Sequence, residues 1–121
     1  MSKTMLMFEF QSLPVIVAVK EAMAQLGAEV IPVQPKNYNK PLQSLLDGTA
    51  GGADYAGELL GGSMLVLCGL EDRLDEVLPA LRSAGVGADC LKAVLTKHNR
   101  KWTAVQLYRE LQREQQEMMK R

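Results

Sequence analysis

The chain has 121 residues, of which 47% are hydrophobic and 23% are charged, and its 14 cations balance its 14 anions. A chain of this size and composition suits one domain that buries a single core without disulfide or metal support. Because there is no basic excess, we do not expect a protein whose main task is to coat nucleic acid.

We do not expect the opening residues, MSKTMLMFEFQS, to form a signal peptide, because their apolar run is short and Glu9 interrupts it. No run approaches the ~18 apolar residues of a membrane span. We therefore expect a cytoplasmic protein without a membrane partner, in which Cys68 and Cys90 stay reduced. The two cysteines lack CxxC spacing, so we expect small core residues and no metal or redox site.

The first strand and helix are predicted by a change in apolar spacing. Residues 4–10, TMLMFEF, form an apolar run of strand length. Ser12 follows in the position of a helix N-cap, and the apolar residues after it recur at helical spacing. Gly27 is expected just beyond the carboxyl end of this helix, a position that glycine favours.

A second strand and a short helix complete the first half of the chain. Residues 28–34, AEVIPVQ, are typical of a strand. Pro32 places this strand at or near a sheet edge, because proline has no N–H to donate to a neighbour. After a polar turn, Pro41 opens a short helix that ends at Gly48.

A glycine-rich segment follows, GTAGGADYAGELLGGS, with six of the ten glycines of the chain. Its composition predicts a mobile linker over residues 49–63. Phosphate-binding loops need GxxxxGK[ST] or GxGxxG between a strand and a helix, and neither pattern is present. We therefore expect no nucleotide cofactor, and no other cofactor is indicated.

The second half repeats the order of the first. Residues 64–68, MLVLC, and 90–96, CLKAVLT, are predicted strands. A leucine-rich helix lies between them, with Pro79 expected to kink it and Gly85 to end it. Its acidic start suits the positive end of the helix dipole and comprises Glu71, Asp72, Asp75 and Glu76. Residues 103–121 form a last helix that is longer than the strands and should overhang the sheet.

These elements predict an α/β fold, a single-domain sandwich whose four-stranded sheet is built from two βαβα halves, residues 1–48 and 64–121. A few matches between the halves suggest an internal repeat, with Lys36 aligned to Lys97. Right-handed crossovers make the strands of each half parallel if they are adjacent. The linker is long enough for a ferredoxin-like α+β arrangement with antiparallel neighbours as well, and this alternative stays open.

The most informative stretch is TKHNRKWTAVQLY, residues 96–108. Thr103 and Gln106 have the spacing of a capping box, in which each side chain binds a backbone N–H at the helix start. Trp102 and Leu107 have the spacing of a hydrophobic staple. This interpretation gives the stretch a structural role that requires no ligand.

A functional interpretation is also open, because ligands of α/β folds gather where strands end and helices begin. Helix starts with free N–H groups favour anions such as phosphates or carboxylates. The first half offers polar residues at the matching strand end, so the two ends could line one groove. The candidate ligand-binding residues are Lys97, His98, Asn99, Arg100, Lys101 and Trp102, with Lys36 and Asn37 from the first half.

Part of this sequence is similar to a known family. The shared features are Gly69 and Leu70 after a strand, the run LKAVLT, the turn residues Thr96, Asn99, Trp102 and Thr103, and the run LYREL. With these features, residues 64–116 resemble a family of small bacterial proteins known only as a domain of unknown function. The resemblance implies a compact α/β domain in the bacterial cytoplasm, and it implies no activity.

Three hypotheses for function follow. The first is a non-catalytic binding or regulatory module that holds an anionic small molecule or partner at the strand-end turns. The second is a homo-oligomer, such as a homodimer, that uses the last helix. The third is a small enzyme using His98, which has no nucleophile or carboxylate beside it in sequence, so no catalytic residue is assigned.

Overall fold

The computed structural model describes residues 3–119, which fold around one four-stranded sheet. The strands are β1 (Thr4–Phe8), β2 (Glu29–Val33), β3 (Met64–Cys68) and β4 (Leu91–Val94). The helices are α1 (Leu13–Gln25), α2 (Leu42–Asp47), α3 (Leu74–Ser83) and α4 (Ala104–Met119), with short 3-10 turns at Pro35–Asn37 and Glu71–Arg73. Residues 120–121, predicted as the end of the last helix, lie outside the described residues.

The strand order is β2-β1-β3-β4. The outer pairs, β1 with β2 and β3 with β4, are parallel, whereas the central pair, β1 with β3, is antiparallel. The predicted α/β sandwich with two βαβα halves is confirmed. The ferredoxin-like alternative is wrong, because its neighbouring strands would all be antiparallel.

Both central strands are buried along their full length, and all their residues except Thr4 are apolar. Alternate side chains point to opposite faces of a strand, so each central strand contributes to two cores. Met5 and Leu67 pack with α1 and α3 in one core. Phe8 and Val66 pack with α2 and α4 in the other. The protein therefore has three layers, with the sheet between two pairs of helices.

The predicted helix ends are confirmed at several positions. The Ser12 side chain caps α1 by accepting a hydrogen bond from the Val15 N–H at 3.4 Å. Gly27 follows the α1 C-cap residue with φ 75°, in the left-handed region that glycine adopts most easily. Pro79 lies inside α3, which begins at Leu74. Asp75 and Glu76 lie in its first turn, as predicted, whereas Glu71 and Asp72 belong to the preceding 3-10 turn.

Three strands are shorter than predicted. β1 ends at Phe8 because Glu9 turns into the left-handed region, with φ 58°. β2 starts and ends one residue inside the predicted 28–34. β4 ends at Val94, and the Asn99 side chain in the turn that follows donates to the Val94 carbonyl. Pro32 does lie on an edge strand, as predicted.

Hydrogen bonds fasten the segment that was predicted to be a mobile linker. The Tyr55 N–H donates to the Lys36 carbonyl at 2.8 Å. The Lys40 ammonium, which is buried, donates to the Ala53 carbonyl. Further along, the Leu60 N–H donates to the Glu9 carboxylate. Residues 49–63 therefore form a strap across the core beside α2 and α4.

Helix α4 covers the sheet with its first turns and projects beyond it. Ala104, Leu107 and Tyr108 are buried, whereas Met118 is 73% exposed. Arg113 pairs with Glu110 and with Glu117 along the exposed part of the helix. Among residues 3–119, no helix is both long enough and apolar enough to cross a membrane.

Cys68 and Cys90 are both buried, as predicted. Burial is the main cause that raises the pKa of each thiol above its ordinary value. Because the thiolate is the reactive form, a raised pKa makes both side chains poor nucleophiles at neutral pH.

Tyr38 is the largest fully buried side chain among the described residues and packs between Phe8 and Tyr55. Within residues 3–119 its hydroxyl has no partner in hydrogen-bond geometry, although the Glu9 carboxylate lies near enough to contribute to the raised pKa of the phenol. The nearby Glu9 carboxylate already accepts two backbone N–H groups. A buried hydroxyl without a partner is desolvated on folding and gains no hydrogen bond in return. We therefore expect Tyr38→Phe to raise the free energy of unfolding by up to about 1 kcal/mol.

The same residue predicts how stability depends on high pH. Burial first, and the negative charge of Glu9 second, raise the pKa of the Tyr38 phenol. A phenol with a higher pKa in the folded state stabilises the fold fully below its unfolded pKa, near pH 10, and loses that contribution as pH rises further. Urea unfolding of both proteins between pH 8 and about pH 11 should show a shallower alkaline loss in Tyr38→Phe. A variant that is less stable than the parent at pH 8 would show that the hydroxyl does have a partner.

Candidate functional site

The turn that follows β4, residues 96–103, is built around the Asn99 side chain. Its amide oxygen accepts the Thr96 N–H at 2.8 Å, and its amide nitrogen donates to the Val94 carbonyl at 3.1 Å. The Thr96 hydroxyl accepts the N–H groups of His98 and Asn99 at 3.2 and 3.3 Å. Asn99 is buried, so its role is to support the turn.

The end of the turn is the capping box that the sequence predicts. The Thr103 N–H donates to the Gln106 side chain at 2.8 Å, and the Gln106 N–H donates to the Thr103 hydroxyl at 3.2 Å. Trp102 is half-buried and packs in the same core as Leu107, as a hydrophobic staple requires. The structural interpretation of these residues is confirmed.

The starts of α2 and α4 lie side by side. The N–H groups of Leu42 and Gln43 donate to the carbonyls of Trp102 and Arg100, each at 2.9 Å. These two N–H groups at the start of α2 are therefore occupied and cannot hold an anion. The start of α2 therefore offers no backbone anion site at these two positions.

Four basic side chains remain available on the turn. Lys97, His98, Arg100 and Lys101 are all exposed. The ion pairs among residues 3–119 involve Arg73 and Arg113, and none involves the turn. A rigid backbone thus presents four adjacent basic groups to solvent, with no acidic side chain paired to them within the described part of the chain.

The first-half candidates lie elsewhere. β2 runs parallel to β1, and β4 runs parallel to β3. Because β1 and β3 are antiparallel, the carboxyl ends of β2 and β4 point in opposite directions along the strands. Lys36 is exposed and follows β2, and its carbonyl accepts a hydrogen bond from the strap. Asn37 is half-buried in the same 3-10 turn. The strand ends themselves therefore do not line one groove, and the two halves meet instead at the starts of α2 and α4.

Sequence reasoning missed Glu9, which follows the carboxyl end of β1. Its carboxylate accepts the N–H groups of Leu60 and Gly61, the second at 3.2 Å. The corresponding position after β3 is Gly69, with φ 73°, where Glu9 has φ 58°. The sequence gives little indication of this role, because the groups that Glu9 binds lie more than fifty residues away along the chain. Its left-handed conformation, which is rare for residues other than glycine, is visible only in the structure.

The comparison with protein families concerns the second half of the chain. Residues 63–118 match the model of a family described as Domain of unknown function. No curated protein and no solved structure matches the chain. The matched segment contains β3, α3, β4 and the whole turn 96–103, and ends within α4. The similarity of this segment to a domain of unknown function, noted in the sequence, is confirmed, and the matched model (DUF3783) covers slightly less than half of the chain.

Proposed function

We propose that this protein is a non-catalytic binding module that holds an anionic small molecule or partner on the turn 96–103. The observation that carries the proposal is the group of four exposed, unpaired basic side chains on this turn. The chain as a whole has no net charge, so this basic surface is local. We further propose a cytosolic location, where the two buried cysteines stay thiols.

The rigidity of the turn supports the proposal. A binding surface that is ordered before binding loses less conformational entropy when the ligand arrives. Here the Thr96 and Asn99 hydrogen bonds and the capping box order the backbone without using the side chains of Arg100 or Lys101. Exposed cations attract anions more weakly as salt screens them, so binding should weaken with ionic strength.

The test is a titration that follows the fluorescence of Trp102, which lies next to the basic side chains. We would add adenosine triphosphate, a sugar bisphosphate, citrate and polyglutamate in separate titrations. One of these anions should give a saturable change, and Arg100→Ala with Lys101→Ala should weaken its binding by about tenfold or more. Isothermal titration calorimetry of the same pairs checks that the signal reports binding.

The matched control removes the same charge from the other side of the molecule. Lys20→Ala with Arg82→Ala takes two exposed cations from α1 and α3, which pack on the opposite face of the sheet from α4. We expect this variant to keep the parent affinity. If both double variants lowered the affinity for the anion equally, binding would depend only on the net charge of the protein, and the proposal would be wrong.

A further inference from the structure

The two edges of the sheet differ in how they are closed. β2 and β4 are the edge strands. In β2, the Glu29 N–H donates to the Lys3 carbonyl on the β1 side, so alternation turns Val30 and Pro32 outwards. Pro32 has no N–H, which blocks the addition of another strand at that edge. The position that corresponds to Pro32 in β4 is Val94, which keeps its N–H.

The outward groups of β4 can be assigned from its pairing. The N–H groups of Leu91 and Leu95 donate to carbonyls of the β3 side, at 3.1 and 2.8 Å. Backbone groups alternate along a strand, so those of Lys92 and Val94 face away from β3. The Lys92 ammonium occupies the Cys90 carbonyl at 3.0 Å, and Asn99 occupies the Val94 carbonyl at 3.1 Å. Within residues 3–119, the N–H and carbonyl of Lys92 and the N–H of Val94 have no hydrogen-bond partner, so they are open to another chain.

An apolar groove runs beside these open groups. It has a volume of about 190 Å³ and is lined by Leu67, Leu74, Leu78, Lys92, Ala93 and Val94. Leu78, which lines this groove, is 39% exposed. If another strand were added beside β4, those of its side chains that point to the same face of the sheet as α3 would cover this groove.

We propose that β4 binds an extended, acidic peptide segment of a partner protein by strand addition. In an antiparallel orientation, one peptide residue exchanges both of its backbone hydrogen bonds with Lys92. The peptide residue two positions earlier accepts the Val94 N–H through its carbonyl. That earlier residue lies beside the groove and should be apolar, whereas the residue opposite Lys92 should be acidic, since opposite charges pair across strands.

Charge favours such a peptide over a second copy of this chain. A symmetric pairing of β4 with itself through the open groups of Lys92 would place two Lys92 side chains directly opposite each other, which is destabilising. An acidic peptide instead meets Lys92 and, at its amino-terminal end, the basic side chains that follow β4. The inference thus rests on the proposed function for that outer contact only, while strand pairing and the groove are independent of it.

The experiment uses a fluorescein-labelled peptide of sequence EETVTETT, whose valine is placed beside Val94 and whose third glutamate is placed opposite Lys92. Its binding to the full chain is measured by fluorescence polarisation. Val94→Pro removes one open N–H and leaves the β3–β4 bonds in place, as Pro32 does in β2. We expect this variant to weaken peptide binding about tenfold, with an unchanged unfolding temperature.

Two further measurements keep the result interpretable if Val94→Pro folds poorly. A peptide N-methylated at its third glutamate cannot donate to the Lys92 carbonyl and should bind about tenfold more weakly to the parent protein. Lys92→Glu should weaken binding of the original peptide, and a peptide with lysine at that glutamate should recover it. Unchanged affinity for the methylated peptide would overturn the inference, because binding would then be electrostatic only.

The outcomes separate this inference from the proposed function. If polyanions bind the parent protein but the peptide does not, strand addition is wrong and the basic turn keeps its role. If Val94→Pro weakens peptide binding whereas Arg100→Ala with Lys101→Ala leaves the affinity for every tested anion unchanged, strand addition holds and the anion-binding role of the turn is wrong. Light scattering measures whether the parent protein is a dimer. A dimer that is lost in Val94→Pro would show that a second copy, and not a peptide, occupies the β4 edge.

Discussion

Replacement of Asn99 by alanine should lower the free energy of unfolding by about 2–3 kcal/mol. The side chain is 9% exposed and joins the Thr96 N–H to the Val94 carbonyl, at 2.8 and 3.1 Å. Alanine removes both hydrogen bonds and leaves a small void inside the turn. Urea unfolding followed by the fluorescence of Trp102, which is half-buried and should report loss of the core, measures the effect.

The adjacent residue provides the control. His98 is exposed and its side chain makes no hydrogen bond with the described residues, so His98→Ala should change stability by less than about 0.5 kcal/mol. Thr96→Val removes the hydroxyl that accepts two N–H groups of the same turn. The Thr96 and Asn99 substitutions should couple in a double-mutant cycle by about 0.5 kcal/mol or more. Additive effects would mean that the two side chains stabilise the turn independently.

Glu9→Ala should destabilise the protein by about 2 kcal/mol, and Glu9→Gly by about 1 kcal/mol less. Both substitutions remove the carboxylate that accepts the N–H groups of Leu60 and Gly61. Glycine adopts the left-handed conformation at φ 58° readily, whereas alanine does not. The difference between the two variants therefore measures the backbone cost of a side chain at this position.

The strap gives a second readout for the Glu9 variants. Limited proteolysis within residues 49–63 should become faster in both, because the strap loses its attachment to the end of β1. Glu58→Ala is the control, since Glu58 is exposed and only its backbone carbonyl is bonded, to the Tyr55 hydroxyl. A proteolysis rate that stays at the parent value in both Glu9 variants would contradict the role of this carboxylate as the attachment of the strap.

The local parts of this structure follow from the sequence. Apolar runs at strand spacing predict β1 and β3, and glycine at a helix end predicts the conformation of Gly27. The Thr103 and Gln106 spacing predicts the capping box at the start of α4. In each case the interacting groups are within a few positions of each other, so their pairing depends little on the rest of the chain.

The candidate site was only partly predictable. The sequence places the basic residues in a turn after β4, which the structure confirms by position. It does not distinguish Asn99, which supports the turn, from Arg100, which is exposed. That distinction depends on which side chain folds back to bind the Val94 carbonyl.

By itself, then, the sequence determined the elements, their capped ends, the basic turn and the edge position of β2. Only the tertiary structure decided the direction of β3 against β1, the attachment of the strap and the open edge of β4. The physical reason is distance along the chain. Glu9 meets Leu60 and the start of α2 meets Trp102 only after the sheet has formed, and a flexible glycine-rich segment leaves either direction of the second half accessible until then.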